Sequence, residues 1–448
     1  MIALARCCFS AILIFAPWAY GGTTTWAISL LNELLWACLG LHLVAWIVDK
    51  RRPFVPLFPL IFWLLLLLQA SWMWYNAHFY HDDSFWQFIE LSPPYPSLPG
   101  SMDKAATLFT LKWISALGAA FVIASDLISD NLWRQRLWTT IGGTTVSIVI
   151  LGLMQRVFHA PSIFWINQQT GNTFFGTYRY HANAGAYLNL TWPILAALTV
   201  KAWRNSEDHV PRALWLGALL LTLAACFINV SRGAAAITLL LLIPALVAFV
   251  PYLRIEHRFS QWRTGLVVAL LFIVFFLALF FSGALNLAEQ HAALLTNQIS
   301  TDNPRYLVTL TDLHIIPKAG WFGFGPGTFS CIFPYFTTHL GNKVAGFWKY
   351  SHEDYLQTLI EYGYLGAAAW SFLFFGGLVR TIRGSLHTHL RSFDSIDQRA
   401  LTLALAGIAL HSLFDFPLQI YSLQLIVMVY LALAWNPLKP KSQIANSK

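Results

Sequence analysis

A chain of 448 residues that is 57% hydrophobic and only 11% charged has less than half the charged share of a soluble domain, where roughly a quarter is usual. Its formal net charge of +8 comes from dispersed Lys and Arg rather than from one basic stripe, which argues against a nucleic-acid partner. Composition therefore predicts an integral membrane protein.

Taken in chain order, hydropathy predicts an all-α polytopic fold with about twelve spans of bilayer-crossing length. Their centres are 8–20, 25–48, 56–73, 105–125, 137–157, 182–200, 213–230, 234–252, 265–283, 355–379, 400–416 and 421–435. The first span follows Arg6 in the manner of a signal peptide, but without a convincing A-x-A-like cleavage site it reads as a retained helix. With both termini cytoplasmic, most of the 28 Lys and Arg fall on the inner side, among them Arg6, Lys50, Arg134, Lys201, Arg254, Arg380, Arg399 and Lys439. That is the side on which positive charge accumulates.

This topology leaves three long loops outside, 74–104, 158–181 and 284–354. The last is by far the longest and too aromatic to be disordered, so it is expected to be functional. With no internal repeat and no low-complexity linker, residues 1–448 read as one integral membrane domain, and the 284–354 loop as carrying part of its site. Of the five cysteines only Cys331 lies in an outer loop, and no zinc-type spacing is present. His352-Glu353 begins like H-E-x-x-H, but Leu356 occupies the second ligand position. No metal and no cofactor is therefore expected.

The stretch "WKYSHEDYLQTLIEYGYLG", 348–366, sets titratable groups ahead of an apolar helix. Ser351 reads as the N-cap and His352 as the first helical residue, with Glu353 and Asp354 after it. His352, Leu359, Gly363 and Gly366 then share a face, where the glycines admit another helix or a lipid chain. A neutral His352 is a candidate base toward a hydroxyl, and a solvated cap-and-loop is the bland alternative. In "INVSRGAAAITLLLL", 228–242, Arg232 opens a helix at the outer interface. It either snorkels to the headgroups or binds a lipid diphosphate.

In "TDNPRYLVTLTDLHIIPKAGWFGFGPGTF", 301–329, Asn303 and Pro304 start a helix that ends near Pro317, with Arg305 in its first turn. The glycine-rich turn after it matches no nucleotide-binding motif. Two further clusters interrupt the spans. Arg179, His181 and Asn183 open the sixth, while His411, Asp415 and Gln419 lie at i, i+4 and i+8 on one face near the outer end of another. They serve either as a functional relay or as structural inter-helix bonds.

Together, "NVSRGA", "NPRYLVTLTDLHIIPKAGWFGFGPGTF", "SHEDYLQTLIEYGYLG", "HANAGAYL" and "HSLFDFPLQI" resemble the O-antigen ligase and polymerase family over roughly residues 171–420. Many relatives have asparagine or a small polar residue after the histidine, where this chain has Glu353. The resemblance implies a periplasm-facing glycosyltransferase of the bacterial inner membrane. Its donor would be an undecaprenyl-diphosphate-linked glycan. Its acceptor would be a hydroxyl on a lipid A core, a growing polysaccharide or a protein. Reaction would proceed with inversion and without metal. His352 would be the base, Arg232 and Arg305 would hold the diphosphate, and Arg179, His181, Glu353 and Asp415 would support them. A lipid-glycan flippase or other transporter is the alternative from a different class.

Overall fold

The computed structural model describes residues 1–166, 174–205, 208–254, 304–344, 346–387 and 393–436. Thirteen helices, labelled in chain order, lie within these residues. They are α1 Ile2–Trp18, α2 Thr25–Val48, α3 Leu57–Tyr75, α4 Lys104–Ile128, α5 Asn131–Val157, α6 His181–Asn205, α7 His209–Ile228, α8 Arg232–Arg254, α9 Pro304–Ala319, α10 Phe329–Thr337, α11 Asp354–His387, α12 Phe393–His411 and α13 Tyr421–Trp435. A two-stranded hairpin, β1 Phe79–Asp82 with β2 Gln87–Glu90, decorates the first long loop.

Seven of the described helices are long and apolar enough to cross a membrane: α2, α3, α4, α5, α7, α8 and α11. Two shorter apolar helices, α1 and α13, coincide with expected spans. The expected span at 182–200 falls on the helix α6 and that at 400–416 partly on α12, which ends at His411; neither is among the seven, and 265–283 lies outside the described residues. Side chains capture the helix starts. Asp103 accepts the Ala105 N–H ahead of α4, and Asp130 accepts the Leu132 and Trp133 N–H groups ahead of α5. Ser231, with its hydroxyl accepting the Ala234 N–H, does the same for α8.

The buried centre is α6, whose residues 182–201 are all buried and which packs against α5, α7, α8 and α12. Nearly every residue of α13 is also buried, against α4 and α11. Hydrocarbon cannot hydrate a peptide group, so such interior helices satisfy their own backbone and bury an apolar surface on every side.

One end of the bundle carries a second layer. The helix α9 buries Val308, Thr311, Asp312 and Ile315, a spacing of i, i+3, i+4 and i+7 that defines one helical face. With Phe329 and Phe333 of α10, Val344, and Ile360 of α11, Val308 and Ile315 form a small separate core.

Two glycine motifs join this layer to the bundle. The helix α11 breaks at Gly363, with φ 65° and ψ −171°, a break that leaves backbone groups without helical partners. The turn 320–325 supplies partners for both sides of the break. The Phe324 and Gly325 N–H groups donate to the Ile360 and Glu361 carbonyls, while the Tyr364 and Leu365 N–H groups donate to the Gly320 and Trp321 carbonyls. A Cβ at Gly363 would collide with the backbone of Trp321 and Gly323. At Gly363 the expected close approach thus serves another stretch of backbone. At Gly366 the neighbour is the Gln69 side chain, which donates to the Phe322 and Tyr362 carbonyls.

The opposite end is tied by ion pairs. Arg6 bonds Asp126 and Asp130, Arg51 reaches Asp126, and Lys201 and Arg134 both face Asp397. Arg399 donates to the Ala248 carbonyl at the C-terminal part of α8.

Candidate active site

The loop ahead of α11 departs from the expected cap. The helix starts at Asp354, two residues later than His352, and the capping carboxylate is Glu353, which accepts the Leu356 N–H at 2.7 Å. Ser351 is not the cap. Its hydroxyl donates to Asp312 Oδ2 at 2.5 Å, and its N–H to Gln357 Oε1 at 3.1 Å. His352 therefore occupies a turn, in the left-handed region at φ 62°, a conformation that costs a non-glycine residue about 1–2 kcal/mol. Bonds on either side of it hold that strain, since the Asp354 N–H donates to the Ser412 carbonyl and the Asp354 carboxylate accepts from Leu418 N and Gln419 Nε2.

This turn aims the imidazole at the loop after α12. His352 Nδ1 lies 3.2 Å from Asp415 Oδ1. A carboxylate offers only acceptors, so Nδ1 carries the hydrogen and Nε2 is left as the proton acceptor. Trp348 and Phe416 stand edge-on to the ring at centroid distances of 5.4 and 4.7 Å, and the His352 side chain keeps 23% of its surface exposed. It is walled by aromatics yet open on one side. The helix α12 ends at His411, so His411, Asp415 and Gln419 do not share one helical face. Asp415 sits in the following loop, and Gln419 bonds Asp354.

Tyr180, just before α6, links the arginine of α9 to the same carboxylate. Arg305 Nη2 donates to the Tyr180 hydroxyl at 3.0 Å, and the Tyr180 ring stacks on Phe416 at 5.8 Å. Burial, and then the Asp415 charge beside it, push the Tyr180 phenol up despite Arg305. It therefore stays protonated and serves as a donor toward Asp415. Burial likewise raises the Glu353 carboxyl, against the pull of the N–H groups it caps. Burial, opposed by the Ser351 hydroxyl and reinforced by the Glu353 charge, raises Asp312 to about 8.

The remaining expected residues surround this junction. Arg232 is exposed at the first position of α8, and a Cβ at its neighbour Gly233 would lie 4.0 Å from His411 Nε2. His181 packs on the Tyr180 ring, while Arg179 is 5.3 Å from the centroid of Tyr20. His352 and Asp415 thus touch directly, and Arg305 reaches them through Tyr180. Gly233, next to Arg232, lies near His411, and Arg179 turns toward Tyr20 instead. Asn303, the expected cap of α9, lies outside the described residues. Among the described residues no group of three or more His, Cys, Asp or Glu is placed to hold a metal ion.

The sequence reading passed over Tyr180, Phe416 and Asp312. The first two are aromatic residues in a chain that is 16% aromatic, so nothing marks them. Asp312 had a signal, a carboxylate on the apolar face between Val308 and Ile315.

Residues 217–371 match the family model described as O-antigen ligase. That match covers less than half of the chain and supports the resemblance to the O-antigen ligase family. The matched stretch includes Arg232, Arg305 and His352, and it stops before the loop that supplies Asp415. No curated protein matches the chain. This match supports an O-antigen ligase-type membrane protein and suggests, coarsely, glycosyl transfer between lipid-linked glycan donors and glycan acceptors. With this match, the seven long apolar helices among the described residues fit a multi-pass protein of the inner membrane.

Proposed function

We propose that this chain transfers a glycan from an undecaprenyl-diphosphate carrier to an acceptor hydroxyl at the periplasmic face, with inversion and without a metal ion. The observation that carries this reading is the His352–Asp415 pair at 3.2 Å, set among aromatics beside the Arg305–Tyr180 contact. His352 Nε2 takes the proton of the acceptor hydroxyl as its oxygen attacks the anomeric carbon. The bond from that carbon to the diphosphate oxygen breaks, and the electron pair leaves with the diphosphate. Asp415 holds the imidazole tautomer and stabilises the imidazolium that forms. Arg232 and Arg305 stabilise the charge that develops on the departing diphosphate. Glu353 fixes the helix start, and Arg179 and His181 flank the site.

The topology that goes with this reading has about twelve spans, cytoplasmic termini and a single integral domain. The 284–354 loop contributes His352 and Arg305 from the periplasmic side. The acceptor hydroxyl belongs to a lipid A core, a growing polysaccharide or a protein.

The test follows consumption of an undecaprenyl-diphosphate glycan by purified protein in detergent. Replacing His352 with Ala should abolish transfer while leaving donor binding intact, and normal transfer would remove His352 from the mechanism. Arg232→Ala and Arg305→Ala should weaken donor binding or turnover; unchanged kinetics in both would dismiss the diphosphate clamp.

A further inference from the structure

Beside Tyr350, which forms an aromatic wall with Phe416 next to His352, the bundle contains a cavity of about 310 Å³. The two rings of that wall are 4.7 Å apart. Helices α2, α4, α11 and α13 line the cavity, and its base is apolar, with Trp370 and Phe374 from α11 and Met428 and Leu431 from α13. Its upper rim is polar, with Lys349, Gln357, Gln419 and Gln424. From Gln424 to Leu431 the lining follows α13 for seven residues, about 10 Å of helix. That is roughly a third of a hydrocarbon core, so the cavity has the depth and polarity profile of one lipid chain hanging from its headgroup linkage.

The rim says more about that linkage. Its two carboxylates are already engaged: Asp354 accepts from Leu418 and Gln419, and Glu361 from the Gly327 and Phe329 N–H groups and Gln357. Two other lining residues are not. Trp113 Nε1 and Gln424 Oε1 are buried and have no hydrogen-bond partner among the described residues. Both line this cavity; Trp113 stacks on Tyr421 at 5.2 Å, one turn before Gln424 on α13. The Gln424 amide is oriented by its other end, which donates to the Leu418 carbonyl. A buried donor and a buried acceptor lining one cavity call for a group that offers both functions, since leaving them unpaired is costly.

We infer that this cavity binds a lipid acyl chain through an amide linkage, whose C=O accepts from Trp113 Nε1–H and whose N–H donates to Gln424 Oε1. An ester-linked chain lacks the N–H and leaves Gln424 unpaired. The site shares Asp354 and Gln419 with the fastening of the His352 turn but does not include His352, and it does not depend on the transfer chemistry proposed there. The chain enters either as part of an acceptor substrate or as a resident membrane lipid, and the two sources present the same amide.

The test uses the full chain in nanodiscs without glycan donor, with a diazirine-bearing palmitamide and the matching methyl ester as probes. The palmitamide should label α11 and α13 around Phe374 and Met428, and should outcompete the ester by about tenfold, the worth of the one hydrogen bond to Gln424 that the ester cannot make. Ala367→Trp, which fills the cavity, should abolish labelling by both probes. The double variant Trp113→Phe, Gln424→Leu should bind both equally while melting at the wild-type temperature. Labelling scattered over the lipid-facing surface, or an amide preference that survives the double variant, would overturn the inference. If transfer fails to depend on His352 while labelling persists, the proposed function falls and this site stands. Competitive inhibition of transfer by the palmitamide against acceptor assigns the chain to a substrate; bound lipid that copurifies and does not compete assigns it to the membrane.

Discussion

The two ends of the helical bundle manage charge in opposite ways. At the Asp397 end cations meet carboxylates directly: Lys201 and Arg134 converge on Asp397, and Arg6 and Arg51 on Asp126. At the His352 end the arginines at 232 and 305 are exposed, and Arg305 reaches Asp415 through the Tyr180 phenol. Asp354 and Asp312 are instead held by N–H and O–H donors. A buried ion pair removes one partner's charge from service to anything else. The first end is therefore built as a fastening, while the second keeps its guanidinium groups accessible to a ligand. The proposed diphosphate needs that accessibility.

The contrast breaks most visibly if each end is stripped of a carboxylate or a base. Asp397→Ala leaves Lys201 and Arg134 buried without their shared counter-charge. Losing one partner of such a cluster costs about 3–5 kcal/mol, so the melting temperature in detergent should fall sharply. A variant that melts like the wild type would show that this end is not a fastening. His352→Ala should do the reverse, lowering single-turnover transfer at least about 100-fold with melting unchanged, because the ring is partly exposed and packs only at its edges. Asp415→Asn should sit between the two, losing turnover through a mis-set imidazole tautomer while His352 stays in place. A pH–rate profile identical to wild type would separate Asp415 from the base.

How much of this was legible in the sequence follows from the physics of each feature. Apolar helices were readable because hydrocarbon demands continuous apolar runs, and α2 and α3 fall close to where hydropathy puts them, at 25–48 and 56–73. The family resemblance was carried by local strings around Arg232, Arg305 and His352, and these lie within the matched residues 217–371. The helix start was misjudged because a serine before acidic residues reads as a cap, whereas Ser351 is drawn away by Asp312, 39 residues earlier. Periodicity also carried α12 too far, through His411 to Gln419, when the chain turns after His411 to present Asp415. Contacts such as His352 with Asp415, 63 residues apart, depend on tertiary packing and leave no local trace.

A subtler probe concerns how the outer layer is joined to the bundle. Gly363→Ala places a Cβ at φ 65° and against the Trp321–Gly323 backbone. The conformational term alone is about 1–2 kcal/mol, and the steric term adds to it by opening the hydrogen bonds between 320–325 and the break in α11. Hydrogen exchange at Phe324, Gly325, Tyr364 and Leu365 should accelerate, with little change near Asp397. Uniform loss of protection at both ends would mean that the layer and the bundle unfold as one unit.

The smallest expected effect is a pH dependence confined to the His352 end. Burial holds Asp312 at about 8, well above the usual carboxyl range near 4, so the folded protein favours its neutral form. A raised acid pKa contributes stability that is fully present below the unfolded value. That stability is lost as pH rises through the folded value. Between pH 7 and 9 the stability of this turn should fall, by about 1 kcal/mol at the upper limit, as a charge forms in a buried site beside Glu353. Hydrogen exchange at Ser351, donor to Gln357, should rise over that interval. Asp312→Asn, neutral at every pH, should flatten the rise while keeping an acceptor for the Ser351 hydroxyl. Parallel profiles for the variant and the wild type would mean that Asp312 is already charged at neutral pH. The fastening of the histidine turn would then resemble the ion-paired end more closely than its partners suggest.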